Sequence, residues 1–245
     1  MPTAPRDPVE QDATAAGGQA HPARPRPSLS AAAALLGFEG DLVGRVQFAN
    51  KQVTAIVQVD EAELERRAQA GLGPVLDYRL VEALAGLPLS LPVSWEEIDP
   101  IVWAVLDSAP PGVLRATSAR VERLLRPAVR VTGVLTSTRD WRTGVNTVGI
   151  LAGHARPGLV LPYRPRDAEP ILARAGRFGI GVVSRDRQGE WRLLLAARRA
   201  RQTDLGPRHW RFLETVYATW RRAHELSDPL EPSPAAGEPV ALTLC

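Results

Sequence analysis

Short apolar runs alternate with helix-forming segments between Arg130 and Leu195. That alternation restricts the chain to a sheet flanked by helices. A strand is predicted over Val129–Thr136, a helix from near Trp141, and a short apolar strand at Leu159-Val160-Leu161-Pro162. A second helix follows over about Ala168–Phe178. Two strands close the unit, Gly179–Ser184 and Glu190–Leu195, joined by the polar turn Arg185–Gly189. The expected class is α/β or α+β: a mixed sheet with flanking helices, an N-terminal β-hairpin and disordered ends.

The remaining segments arrange themselves around this unit. Residues 1–29 are rich in Ala, Pro, Gly and polar side chains. They bury too little surface to offset ordering entropy, and a disordered tail is expected. Residues 38–126 read as an acidic hairpin and helical region. Its hairpin spans Leu42–Val59 and turns at Asn50-Lys51. Leu42, Gly44, Val46 and Phe48 are expected on one face of the first strand, and Val53, Ala55, Val57 and Val59 on one face of the second. Helices are expected over Glu61–Ala70, stopped by Gly71–Pro74, and over Val75–Ala85. Ser94-Trp95-Glu96-Glu97 has the capping-box pattern and would start a helix running to Asp107. Pro100 inside such a helix would cost about 3 kcal/mol, and a strand over Ile101–Leu106 is the alternative. Thr117 or Ser118 would cap a further helix carrying Val121, Leu124 and Leu125. Residues 127–225 form a basic α/β region that ends in an amphipathic helix, Pro207–His224. Its stripe of Trp210, Leu213, Val216, Tyr217 and Trp220 has helical spacing, the mark of a core face. Residues 226–245 read as a flexible tail.

Charge is segregated along the chain. Phe38–Asp107 holds 5 basic and 12 acidic residues, net −7, whereas Arg115–Arg222 holds 22 basic and 8 acidic, net +14. A basic segment of this kind attracts polyanions, unless the acidic half covers it within the molecule. Lys51 is the only lysine, and Cys245 is the only cysteine. One thiol permits neither an internal disulfide nor a multi-thiolate zinc site. The small apolar run Ala31–Leu36 is too short for a signal peptide, and no stretch reaches the roughly 20 apolar residues of a membrane span. A cytoplasmic protein without membrane contact is expected.

Nucleophile and metal patterns are missing from the sequence. His21, His154, His209 and His224 form no His-x-x-x-His or His-Glu-x-x-His spacing, and His154 is expected to be satisfied locally at a helix end. Gly-Arg-Phe-Gly-Ile-Gly at 176–181 superficially matches a dinucleotide fingerprint, but its glycines end a helix and enter a strand. Nucleotide binding needs the reverse order, so Gly179 is expected to be a helix C-cap. No catalytic residue, metal ligand or cofactor is assigned.

The order of elements across 129–195 resembles the restriction-endonuclease-like (PD-(D/E)XK) superfamily. The residues that carry the likeness are Val134-Leu135-Thr136-Ser137-Thr138, the Trp141-Arg142 pair, Leu159–Pro162, and Arg174–Val183 with Phe178-Gly179-Ile180-Gly181. Such nucleases hold Mg²⁺ with carboxylates and place a lysine near the attacking water. Here the expected Glu-x-Lys position holds Leu135-Thr136-Ser137 or neighbours. No acid lies between Val129 and Arg139, and Asp107 or Glu122 would be a lone upstream acid. The resemblance therefore implies a degenerate, non-catalytic member.

Three function classes follow. In the first, the protein binds DNA or RNA phosphates through Arg139, Arg142, Arg164, Arg166, Arg185, Arg187, Arg198, Arg199 and Arg201. In the second, it is a protein-interaction or assembly module whose acidic 38–107 region meets a partner. In the third, it is a metal-dependent nuclease with an atypical site drawn from Asp107, Thr136 and Asp140. Arginines on one face without acidic cover favour the first class. Cover by Glu61, Glu63 and Glu65 favours the second, and two or three carboxylates in one cleft favour the third.

Overall fold

In the computed structural model, which describes residues 28–198 and 206–224, the alternation at 42–59 forms the expected hairpin. Its strands are β1 (Asp41–Phe48) and β2 (Lys51–Val59). The turn sits one residue earlier than expected. Ala49 and Asn50 form it, with φ of 45° and 60°, as a two-residue type I′ connection requires. β1 also carries a bulge between Val43 and Val46. One extra residue reverses the facing of a strand. Val43 and Val46 are therefore both buried against the same helix, and the expected single face of Leu42, Gly44, Val46 and Phe48 is not formed. β2 has no such shift there, and Val53, Ala55, Val57 and Val59 share one face as expected.

The hairpin is part of a larger sheet. β2 pairs antiparallel with β6 (Val129–Ser137), which pairs parallel with β7 (Pro157–Leu161). β7 pairs parallel with β8 (Gly181–Arg185), and β9 (Trp191–Leu195) closes the far edge antiparallel. The result is a six-stranded mixed sheet of order β1-β2-β6-β7-β8-β9 within an α/β fold. The N-terminal hairpin and the basic strands thus share one sheet.

Helices cover both faces. α5 (Trp141–Gly149) and α6 (Glu169–Arg177) pack Val145, Val148, Ile171 and Ala175 on Leu159, Leu161 and Val182. α7 (Pro207–Ala223) covers β1, β2 and β6 with Phe212, Leu213, Val216, Tyr217 and Trp220. The aromatic stripe is core. On the other face lies α1 (Leu29–Leu35), an element the sequence analysis does not anticipate. Its seating depends on Gly133, Gly158 and Gly181 in adjacent strands. A Cβ at Gly158 would lie 2.7 Å from Leu36 Cδ1, and one at Gly133 would lie 2.6 Å from Phe38 Cε2. The bare backbone forms the trough that receives Leu36 and Phe38.

α1, α2 (Glu61–Gln69) and α6 stop by one device. In each, a left-handed glycine follows the cap (Gly37, Gly71 and Gly179), and the next residue donates its N–H back five positions, to Ala33, Arg67 and Ala175. This is the Schellman arrangement, and the C-cap role expected for the Gly179 region holds.

A second core lies beyond α2. α3 (Tyr78–Ala85), α4 (Pro100–Asp107) and a small sheet surround Leu80, Leu84, Leu106, Val113, Val121 and Leu125. The small sheet has the order β3 (Pro92–Ser94), β5 (Arg120–Arg123), β4 (Leu114–Ala116). Two expectations fail here. Ser94 caps only the 3-10 turn Trp95–Glu97, and α4 starts afresh with Asp99 as N-cap and Pro100 in its first turn. Proline is tolerated there because it removes a donor that has no helical partner. The helix expected after Thr117 or Ser118 is strand β5: Thr117 and Arg120 close a turn with reciprocal bonds, and Val121 faces the small core.

Trp210 of α7 reaches this second core, and Glu214 one turn later ties the two cores together. Arg67 donates to both oxygens of Glu214 at 2.7 and 2.9 Å, to Glu63 at 2.9 Å, and to the carbonyl of Arg126 at 2.7 Å. Val75 N–H and Trp210 Nε1 donate to the same Glu214 carboxylate. Glu63 also takes two bonds from Arg66. Burial alone would raise the Glu63 pKa, but the bonds from Arg66 and Arg67 outweigh it and hold the carboxyl below its ordinary value.

The expected disordered residues 1–29, apart from Ser28 and Leu29, and the expected tail 226–245 lie outside the described residues. No helix among the described residues is long and apolar enough to cross a membrane.

Candidate nucleic-acid interface

Because β6, β7 and β8 run parallel, their carboxyl ends share one edge of the sheet. The segments that leave this edge carry Arg139 and Arg142 after β6, Arg164 and Arg166 after β7, and Arg187 after β8, with Arg185 closing β8 itself. In open α/β sheets this edge is where ligands bind. The topology therefore gathers six of the nine sequence-selected arginines. The same segments also hold Asp140, Asp167, Asp186 and Glu190, so the edge is mixed in charge. Two of these acids have local tasks. Asp140 caps α5, where the Thr143 hydroxyl and the Arg142 N–H hold its carboxyl below the usual range. Asp186 organises the β8–β9 turn and pairs with Arg192 at 2.9 Å.

The remaining three arginines are placed differently. Arg198 donates its backbone N–H to Gly179 and packs against that glycine, at the opposite end of β8. Arg199 and Arg201 lie outside the described residues.

A groove along α5 and α6 connects the two ends. It encloses about 580 Å³ and is lined by Trp141, Arg142, Pro170, Ala173, Arg174, Arg177 and Phe178. Three guanidiniums line it and no carboxylate does. Arg142 lies over the Trp141 ring at 4.5 Å, and Arg174 donates to Asn146 at 3.3 Å. Phe178 is 49% exposed directly before the Gly179 cap that Arg198 packs on. Sequence reasoning selected Arg142 here but missed Arg174, Arg177 and Phe178. Their signal was present: Arg174 and Arg177 are three apart and adjacent on the helix surface, beside the buried Ile171 and Ala175.

Among the described residues no carboxylate of the acidic segment 38–107 pairs with these side chains, although Asp140 lies close enough to Arg142 for their charges to interact. None of the seven described arginines of the sequence set forms an ion pair with a described residue, nor does Arg174 or Arg177. Glu63, itself buried, is spent on Arg66, Arg67 and Arg126, and Glu61 and Glu65 are on α2 beside it. Arg126, paired with Asp60 and Glu63, is where the acidic and basic segments do neutralise each other.

The residues considered for an atypical nuclease site sit on separate elements. Asp107 ends α4, Glu122 pairs with Arg115 in the small sheet, and Thr136 and Asp140 sit at the end of β6. Among the described residues no group of three or more His, Cys, Asp or Glu is placed to hold a metal ion.

One histidine expectation is corrected. His154 is not satisfied within its own helix end. Its Nδ1 faces Nδ1 of His209 on α7 at 3.3 Å, with ring planes 8° apart, beside Phe48 and Phe212. One proton fits on that axis, so one ring donates and the other accepts. Burial, then the neighbouring His154, lowers the His209 pKa to about 4, and burial with Arg208 lowers that of His154.

Comparison with protein-family models, curated proteins and solved structures gives no match in any of the three.

Proposed function

We propose that the protein is a non-catalytic nucleic-acid-associated protein that holds a phosphate backbone along the α5–α6 groove and the adjoining strand ends. The observation that supports this reading most is the groove itself: three guanidiniums, two aromatic rings and no carboxylate in its lining. Guanidiniums contact phosphates without reading sequence. An exposed ring such as Phe178 offers a stacking platform that unpaired bases can use and a closed duplex withholds. Single-stranded DNA or RNA is accordingly the favoured ligand. On this reading, the nuclease-like order of elements serves binding, and the carboxylates and lysine of a cleaving site have no role.

Fluorescence anisotropy with a labelled oligothymidylate and a duplex of equal length, across a salt series, tests this proposal. The expected result is tighter binding of the single strand and a linear fall of log K with log salt. Each lost phosphate contact changes that slope by about 0.7 on a single strand. Arg142→Ala/Arg174→Ala/Arg177→Ala is then expected to flatten the slope by about 2. Phe178→Ala should weaken single-strand binding by about 1–3 kcal/mol and leave the slope unchanged. No binding at low salt, or a slope indifferent to the triple substitution, overturns the proposal.

A further inference from the structure

α4 is a helix whose composition and surroundings disagree. Ile101 through Leu106 are six consecutive apolar residues, yet only Leu106 is buried. A helix apolar on all sides normally lies inside a protein. Here Ile101 is 79% exposed and Trp103 43% exposed, with Trp103 leaning edge-on against Trp95. Inward, α4 packs chiefly on α3. Beside α4 runs an apolar groove of about 770 Å³, floored by Leu87, Val93, Ile98, Val102 and Val105. Its charged lining is Glu82, Glu97 and Asp99 against Arg79 alone. None of these four ion-pairs with a described residue. An exposed apolar patch with a polar rim marks an interaction site, and an apolar groove of this kind suits an amphipathic helix.

We infer that this groove docks a basic amphipathic helix of a partner protein: apolar side chains in the groove, lysines or arginines against Glu82, Glu97 and Asp99. Charge selects this occupant. The chain's own residues 225–245 carry four carboxylates and no basic side chain, so the acidic rim repels them. Residues 1–27 offer Met1 and Val9 as their only large apolar side chains. An anionic lipid surface is likewise repelled by the rim. The site is separate from the α5–α6 groove, so its failure and that of the nucleic-acid reading are distinguishable.

The test uses the full chain and two labelled synthetic helical peptides with the same leucine stripe, one flanked by lysines and one by glutamates. The lysine peptide is expected to bind about tenfold more tightly or better. Ile101→Glu, at a position open to solvent, should weaken it by about tenfold or more while the circular dichroism spectrum is retained. Glu97→Lys should erase most of the preference for the lysine peptide. Equal binding of the two peptides, no binding of either, or indifference to Ile101→Glu overturns the inference. So does a concentration-dependent dimer abolished by Ile101→Glu, which assigns the groove to a second copy. Binding to phosphatidylcholine vesicles abolished by the same substitution would assign it to a membrane and equally overturn it.

Discussion

His209 is the residue whose ionisation most clearly opposes the fold. Its folded pKa of about 4 lies below the ordinary 6.5, so between those values the unfolded chain binds the extra proton. Stability from the neutral imidazole is complete above pH 6.5 and is lost as pH falls towards 4. A shift of this size corresponds to a loss on the order of 3 kcal/mol. Urea midpoints measured between pH 7 and 4.5 should fall accordingly, and His209→Phe, placed among Phe48 and Phe212, should remove most of that slope. Glu63 acts in the same direction but lower: its depressed pKa means that its contribution is lost only below about 4.5. His154 and His209 are 55 positions apart, so no local spacing reveals them as a pair. Gly179, by contrast, was legible as a cap because its role is settled within six residues of chain.

At the scale of elements, the seating of α1 turns on three bare strand positions. Gly133→Ala would drive a Cβ into the Phe38 ring. Overpacking of this kind costs about 1–3 kcal/mol. Faster hydrogen exchange confined first to Ala32–Phe38 is the expected signature, and unchanged exchange there would show that the trough does not hold α1. β6, α5, β7, α6, β8 and β9 were all legible from local sequence: β7 and β8 as short apolar runs buried on both faces, α5 and α6 from the helical spacing of their buried side chains, and β9 from the polar turn that precedes it. α1 was not anticipated, and two further features were misread. β5 was read as a helix because Val121, Leu124 and Leu125 also fit helical spacing, and the pairing of β5 with both β3 and β4 decides otherwise. The β1 bulge inverts the facing of half a strand without any change in its alternating composition.

Across the whole molecule, α7 holds two cores in register through one buried carboxylate. Arg67 is 1% and Glu214 0% exposed in their side chains. Removing one partner of such a pair strands the other and typically costs about 3–5 kcal/mol. Arg67→Ala is therefore expected to lower the urea midpoint sharply. Amides in α3 should then exchange with a lower opening free energy than those in β6, whereas in the native protein the two are expected to share one transition. Coincident protection in Arg67→Ala would mean that Trp210 and the apolar contacts alone couple the cores.

The sequence by itself determined the class of the fold, most of its elements and the separation of acidic from basic segments. Those properties depend on residues near one another in the chain, through period, capping and net charge. Tertiary structure alone decided which charges face solvent and which are buried. It placed six arginines at one sheet edge by making three strands parallel, and it sent Arg198 to the other end. It spent Glu63, Arg67 and Glu214 in the interior, and it left an apolar helix uncovered. Strand direction and long-range burial set these outcomes, and both are settled by the packing of distant segments, which no local pattern encodes.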